Sequence, residues 1–153
     1  MKISFISTIL NESKTIEKFI DSIVKQSKIP DEIILVDGES KDNTVNIVEK
    51  KIKDYGKKLN IKLIKKAGNR SVGRNEAIRH SIGEIILTSD AGCILDKDWV
   101  KNITKPFQNK NISVSSGFYY PITKNVFEKC LSTYTCVMDD KVNIDEFLPS
   151  SRS

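Results

Sequence analysis

Apolar positions along this chain fall into short uninterrupted runs, separated by stretches in which they recur every three or four residues. Four runs rich in β-branched residues, Ile3 to Leu10, Glu32 to Asp37, Ile61 to Lys65 and Glu84 to Ser89, read as buried strands. Between the first two, Ile16, Phe19, Ile20, Ile23 and Val24 repeat at helical spacing, with Asn11 or Ser13 placed to cap the free amides of the helix start. The next interval repeats the plan, with Asp42 or Asn43 as cap, Val45, Val48, Ile52 and Tyr55 as the apolar stripe, and Gly56 as a left-handed stop. A third helix is predicted over residues 71–81, with Gly83 as its stop. The strand starts at Ile3, Glu32 and Ile61 are evenly spaced. Parallel strands joined by crossover helices make an open sheet with helices on both faces, an α/β fold of three layers.

After Asp90 the pattern changes. A short helix is predicted over residues 97–107, a strand over 113–120, and then an amphipathic helix carrying Val126, Phe127, Cys130, Leu131, Tyr134 and Val137. The tail from Asp139 to Ser153 has no clear period.

At 153 residues, 39% hydrophobic and 29% charged, the chain has the size and mix of one globular domain with a core of its own. The net charge is +5, yet the basic residues are nearly all Lys and are scattered among Asp and Glu. Lys50, Lys51, Lys53, Lys57 and Lys58 read as the wet face of one helix, so no nucleic-acid partner is expected, while attraction to a membrane surface stays open. Cys93, Cys130 and Cys136 make an odd count without a Cys-x-x-Cys pair, and His80 is the only histidine. Neither a zinc cage nor a disulfide framework is indicated, and a reducing, cytoplasmic setting is expected. The opening Met1 to Ile6 is too short for a signal peptide, and no apolar run approaches the ~20 residues of a membrane span.

In an open parallel sheet, ligands bind beyond the carboxyl ends of the strands. Those ends are Thr8 to Asn11, Asp37 to Ser40, Asn69 to Arg74 and Asp90 to Cys93. Two acidic strand ends, Asp37 and Asp90, beside a segment bearing Arg70 and Arg74 suit a metal-bridged diphosphate, because carboxylate and phosphate oxygens are the preferred ligands of Mg²⁺ and Mn²⁺. Either Asp alone equally suits a cap or a turn. A dinucleotide fingerprint and a P-loop are both missing. His80 reads as a surface residue, Cys93 as small core filler, and Val36 to Ser40 lacks the second Asp of an aspartyl-phosphate phosphatase.

Taken in order, these segments resemble the family 2 glycosyltransferases through nearly all of residues 2–120. Ser7-Thr8-Ile9-Leu10-Asn11-Glu12 is similar to that family's opening strand and Asn-Glu turn. Ile34-Leu35-Val36-Asp37-Gly38-Glu39-Ser40-Lys41-Asp42-Asn43-Thr44 resembles its Val-Asp-x-x-Ser-x-Asp-x-Thr signature, and Gly73-Arg74-Asn75 its Ala-Arg-Asn helix start. Thr88-Ser89-Asp90-Ala91-Gly92-Cys93 stands where the family carries an Asp-x-Asp metal motif. The resemblance implies a Rossmann-like sheet of the GT-A type and a nucleotide-sugar site. Thr8, Leu10 and Asn11 would lie near the nucleoside, Asp37 and Gly38 near the base, Arg70 or Arg74 near base or diphosphate, and Asp90 on Mg²⁺ or Mn²⁺. Two departures stand out: Gly92 replaces the second acid of the metal motif, and Gly38 replaces an Asp that some relatives place at the base.

The activity so implied is transfer, with inversion, of a sugar from a UDP- or GDP-sugar to a hydroxyl of a glycan or lipid-linked acceptor at the inner face of the membrane. The general base is expected beyond Ser153, in an acceptor half that a single donor-binding domain over residues 1–153 would lack. Asp139, Asp140, Asp145 and Glu146 come too early to match it and read as a solvated acidic stretch. A non-catalytic nucleotide-sugar-binding module is the rival reading. A receiver-like binding domain is the third, and the order of the four motifs speaks against it. Apolar surface left bare by a missing half would make the chain a homodimer or prone to stick.

Overall fold

The computed structural model describes residues 1–56 and 59–136. The chain divides into two compact units, Met1–Ser115 and Ser116–Ser153.

The first unit holds β1 (Ile3–Ile9), α1 (Ile16–Val24), β2 (Glu32–Asp37), α2 (Thr44–Tyr55), β3 (Ile61–Lys65), α3 (Arg70–Arg79), β4 (Ile85–Thr88) and α4 (Trp99–Thr104). A 3-10 turn over Lys105–Gln108 continues α4. The four strands form one parallel sheet in the order β3-β2-β1-β4, with Ile9 opposite Asp37 and Ile6 opposite Thr88. Alternation along the strands divides the core in two. Ile3, Phe5, Ile33, Leu35, Ile85 and Leu87 pack with Ile16, Phe19, Ile20 and Ile23 of α1, Val48 of α2 and Val100 of α4. On the opposite face Ile6, Ile34 and Val36 pack with Ala77 of α3. The three-layer α/β/α arrangement with parallel strands is therefore present, and each of the four strands predicted before Asp90 begins within a residue of its expected place.

At the amino end of the strands the Glu32 carboxylate is buried and fully engaged, accepting from Ser4 Oγ at 2.6 Å, the Ile82 N–H at 2.7 Å and Lys62 Nζ at 3.0 Å. Burial alone would raise its pKa, but these bonds hold it below the ordinary glutamate value. This acid ties three strands together far from the carboxyl ends.

Several local expectations fail for physical reasons. The cap position of α1 is Thr15, whose side chain makes no capping bond, so neither Asn11 nor Ser13 caps that helix. Gly56 ends α2 with a right-handed φ of −60°, and a Cβ there would lie 2.4 Å from the Ile52 carbonyl oxygen. The glycine answers a close approach instead of a left-handed turn. Lys51 is not on the wet face: its Nζ lies 2.7 Å from Asp21 and 3.0 Å from Glu17, bolting α2 to α1. Burial pulls its pKa down, but the two carboxylates outweigh that and push it up to about 12. Lys57 and Lys58 lie outside the described residues. Residues 113–120 form no strand, because among the described residues no ladder reaches them and β-rich composition alone does not make one.

In the second unit α5 (Val126–Thr135) forms as predicted, capped by Asn125, whose side chain accepts from the Glu128 N–H. Its apolar residues Val126, Phe127, Leu131 and Tyr134 are exposed. Val137 lies outside the described residues.

Candidate functional site

The carboxyl ends of β1, β2 and β4 and the start of α3 meet at one edge of the sheet. Ser7 Oγ donates to the Ser89 carbonyl at 2.7 Å, joining the tips of β1 and β4. Thr8, one residue on, faces α3 at Gly73, where a Cβ would come within 2.8 Å of Thr8 Cγ2. Only glycine lets the helix approach β1 this closely, and that approach brings Arg74 to the edge. Leu10 is half exposed and lies beside Gly38, whose N–H donates to the Ile9 carbonyl at 2.9 Å. Gly68, in the turn before α3, adopts φ 141°, a conformation that favours glycine, and its carbonyl also lies beside Gly38.

Asn69 caps α3, its side chain accepting from the Val72 N–H at 3.1 Å. Arg70 and Arg74 then project from the first two turns toward Asp90, with Arg74 Nη2 3.5 Å and Arg70 Nη1 4.0 Å from its carboxylate. The Asp90 side chain keeps 23% exposure, so it is reachable from solvent while ion-paired. One acid facing two guanidinium groups beside a helix amino end leaves an excess of positive charge, the arrangement that receives a phosphate group. Asp90 is neither turned into the core nor used as a side-chain cap.

Asp37 is built differently. It is 1% exposed, and its oxygens accept from the N–H groups of Glu39 and Ser40, both at 3.0 Å, and from Ser40 Oγ. The acid folds the turn after β2 back on itself.

The residues following Asp37 reveal what the Ser-x-Asp-x-Thr spacing does locally. Ser40 Oγ accepts the Asn11 N–H at 2.9 Å, Thr44 Oγ1 accepts the Glu12 N–H at 2.7 Å, and Asp42 Oδ2 accepts the Ser13 N–H at 3.0 Å. In return Asn11 Oδ1 accepts the Lys41 N–H at 2.8 Å. Three alternate side chains of one turn thus satisfy three consecutive N–H groups of another, about thirty residues earlier. The hydrogen bond from Thr44, together with those from Ser13, holds the Asp42 carboxyl well below the usual aspartate range. Among the described residues, Asn11 and Glu39, at φ 55° and 71°, are the non-glycine residues in the left-handed region, and this lacing holds both in place. The sequence displayed these side chains without their partners, which follow from the pairing of Ile9 with Asp37.

His80 is exposed at the C-cap of α3, 3.2 Å from Glu76, and Cys93 is partly buried, not the full core filler expected.

Among the described residues no group of three or more His, Cys, Asp or Glu could hold a metal ion. What Asp90 offers fits a different case, a divalent cation held by one protein carboxylate and completed by substrate phosphates and water. A Cβ on Gly92 would meet nothing within 4 Å, so there is room for a side chain where the family carries its second acid.

The sequence profile of glycosyl transferase family 2 matches residues 4–142. The chain belongs to that family. It is 34% identical over 107 residues to the poly(ribitol-phosphate) beta-N-acetylglucosaminyltransferase TarS of Staphylococcus aureus, covering 67% of this chain and 18% of that protein. It is 26% identical over 152 residues to TarP of the same species, covering 92% of this chain and 45% of TarP. Among solved structures, S. aureus TarS 1–349 in complex with UDP-GlcNAc aligns with a TM-score of 0.62 at 28% identity, over 83% of this chain and 38% of that one. The mannosyltransferase PcManGT from Pyrobaculum calidifontis, in complex with GDP-Man and Mn²⁺, aligns with a TM-score of 0.63 at 28% identity, over 68% of this chain and 31% of that one. The family 2 glycosyltransferase identity and the GT-A-type sheet are thus established, and the chain spans less than half of each of these relatives.

Proposed function

We propose that this chain binds a nucleoside-diphosphate sugar across the carboxyl edge of its sheet and forms the donor side of an inverting, metal-dependent glycosyltransferase. The observation that carries the reading is the convergence of Arg70 and Arg74 on Asp90 beside the tip of β1. The nucleoside lies along Thr8, Leu10 and Asn11, and the base against Gly38, with Asp37 beneath it. The two guanidinium groups take diphosphate oxygens, a match of planar donors to paired anionic acceptors. Asp90 would be the residue of this chain that holds Mg²⁺ or Mn²⁺. When bound, the cation stabilises the negative charge that collects on the diphosphate as it leaves.

In the reaction the acceptor hydroxyl oxygen forms a bond to the anomeric carbon from the side opposite the diphosphate. The carbon–oxygen bond to the diphosphate breaks and its electron pair leaves with the phosphate oxygen, inverting the centre. The hydroxyl proton passes to a carboxylate acting as general base. This chain's own contribution is to orient the donor and to neutralise its leaving group with Arg70 and Arg74. TarS and PcManGT, solved with UDP-GlcNAc and GDP-Man, support a UDP- or GDP-sugar as the donor class. The acceptor is a glycan or lipid-linked hydroxyl, met on the cytoplasmic side of the membrane.

Calorimetry with UDP-GlcNAc and GDP-mannose, with and without Mn²⁺, tests the reading. Binding of one donor should strengthen with Mn²⁺, and Arg74→Ala should weaken it about tenfold, the value of a charge-assisted hydrogen bond. Absence of Mn²⁺-dependent heat with either donor overturns it. Binding without transfer to any acceptor favours the non-catalytic module instead.

A further inference from the structure

We propose that Asp37 and Ser40 are positioning residues for the nucleotide, which set its affinity through the main chain of Asn11 and Glu39 without touching it. The inference rests on the donor site proposed above and concerns how that site is held in shape.

The argument starts from saturation. A carboxylate can only accept hydrogen bonds, and Asp37 accepts three within its own turn while being 1% exposed. Little of it is left for a ligand. The Ser40 hydroxyl has one proton, and Asp37 takes it. Its lone pairs are thereby aimed outward, and one of them receives the Asn11 N–H at 2.9 Å. Asp37, Ser40 and Asn11 therefore form a directed relay from the tip of β2 to the turn after β1.

That turn needs holding. Asn11 sits at φ 55° and Glu39 at φ 71°, a region that residues with a Cβ enter at a cost. The N–H of each left-handed residue is held by the relay, Asn11 on Ser40 and Glu39 on Asp37. Leu10 and Gly38, which lie against each other at the proposed nucleoside wall, are the immediate chain neighbours of these two residues. Freeing the relay lets both turns relax toward right-handed or extended backbone and moves the wall.

A positioning role and a direct contact with the base predict different patterns. Calorimetry of UDP and GDP binding is compared for the full chain and for Ser40→Ala, Ser40→Thr, Asp37→Asn and the Asp37→Asn/Ser40→Ala double variant, each verified as folded by its melting curve. Positioning predicts that Ser40→Ala weakens both nucleotides by the same factor, about fivefold for one lost hydrogen bond. Ser40→Thr, which keeps the hydroxyl, restores affinity. The Asp37→Asn loss does not add to that of Ser40→Ala, because both break one relay. Wild-type affinity in Ser40→Ala overturns the proposal. So does a change in the UDP-to-GDP ratio in Asp37→Asn that Ser40→Ala lacks, since that marks a carboxylate reading the base. If Asp37→Asn does not fold, the two Ser40 variants decide alone. Failure of the wild-type chain to bind either nucleotide removes the donor site itself along with the relay's role.

Discussion

Gly92 and Gly73 show how much a single missing side chain can mean in opposite ways. At Gly73 a methyl group has no room, because β-branched Thr8 stands 2.8 Å from where it would lie. At Gly92 a Cβ would meet nothing within 4 Å. Gly92→Asp should therefore fold unchanged and add a second carboxylate beside Asp90. Under the proposed reading, the substituted chain should bind Mn²⁺ measurably without nucleotide, while the natural chain needs nucleotide phosphates to complete the coordination. Mn²⁺ titration followed by electron paramagnetic resonance checks this, and identical titrations of the two proteins would contradict it.

At the scale of elements, the lacing of the two turns responds to acid in a defined direction. The folded Asp42 carboxyl titrates below its unfolded value, so it stabilises the fold above the ordinary aspartate pKa, and that contribution is lost as pH falls through the depressed value. Asp42→Asn should lower the neutral plateau of stability and change the acid end least, so that the acid limb flattens. Urea melts from about pH 6 down to about pH 2, a span bracketing the aspartate range, measure the difference.

Elements were also where sequence reading succeeded and failed most clearly. β1, β2, β3 and α1 were legible because burial imposes a period that survives in the sequence. Arg70, Arg74 and Asp90 were legible as a group because strand ends of an open sheet share one edge. The cap of α1, the buried Lys51 and the partners of Ser40, Asp42 and Thr44 were not. Each depends on a side chain meeting a segment far away in sequence, and only the register between strands decides which segment that is. The expected strand at 113–120 failed for a related reason, because β-rich composition is no substitute for a neighbouring ladder.

For the molecule as a whole, the uneven covering of the sheet matters most. Ile78, Ile82 and Ile86, in the stretch leading from α3 into β4, are exposed, and β4 is an edge strand of the described sheet. An apolar surface next to an unpaired strand edge promotes self-association. Among the described residues no helix is long and apolar enough to cross a membrane, so this surface is not part of a spanning helix there. Sedimentation velocity should show association that grows with protein concentration, and an Ile82→Lys/Ile86→Lys variant should stay monomeric. A natural chain that remains monomeric at high concentration would count against the idea.

The strand order carries a consequence for how the chain comes into being. β1 precedes β2 and β4 along the chain, yet it lies between them, so its two edges are closed at very different times. The pairing with β2 becomes available once residue 37 has emerged, whereas the other edge waits for residue 88. During that interval a row of apolar residues and open backbone groups sits bare on the nascent chain, so chaperone protection of β1 matters most between the emergence of residues 37 and 88.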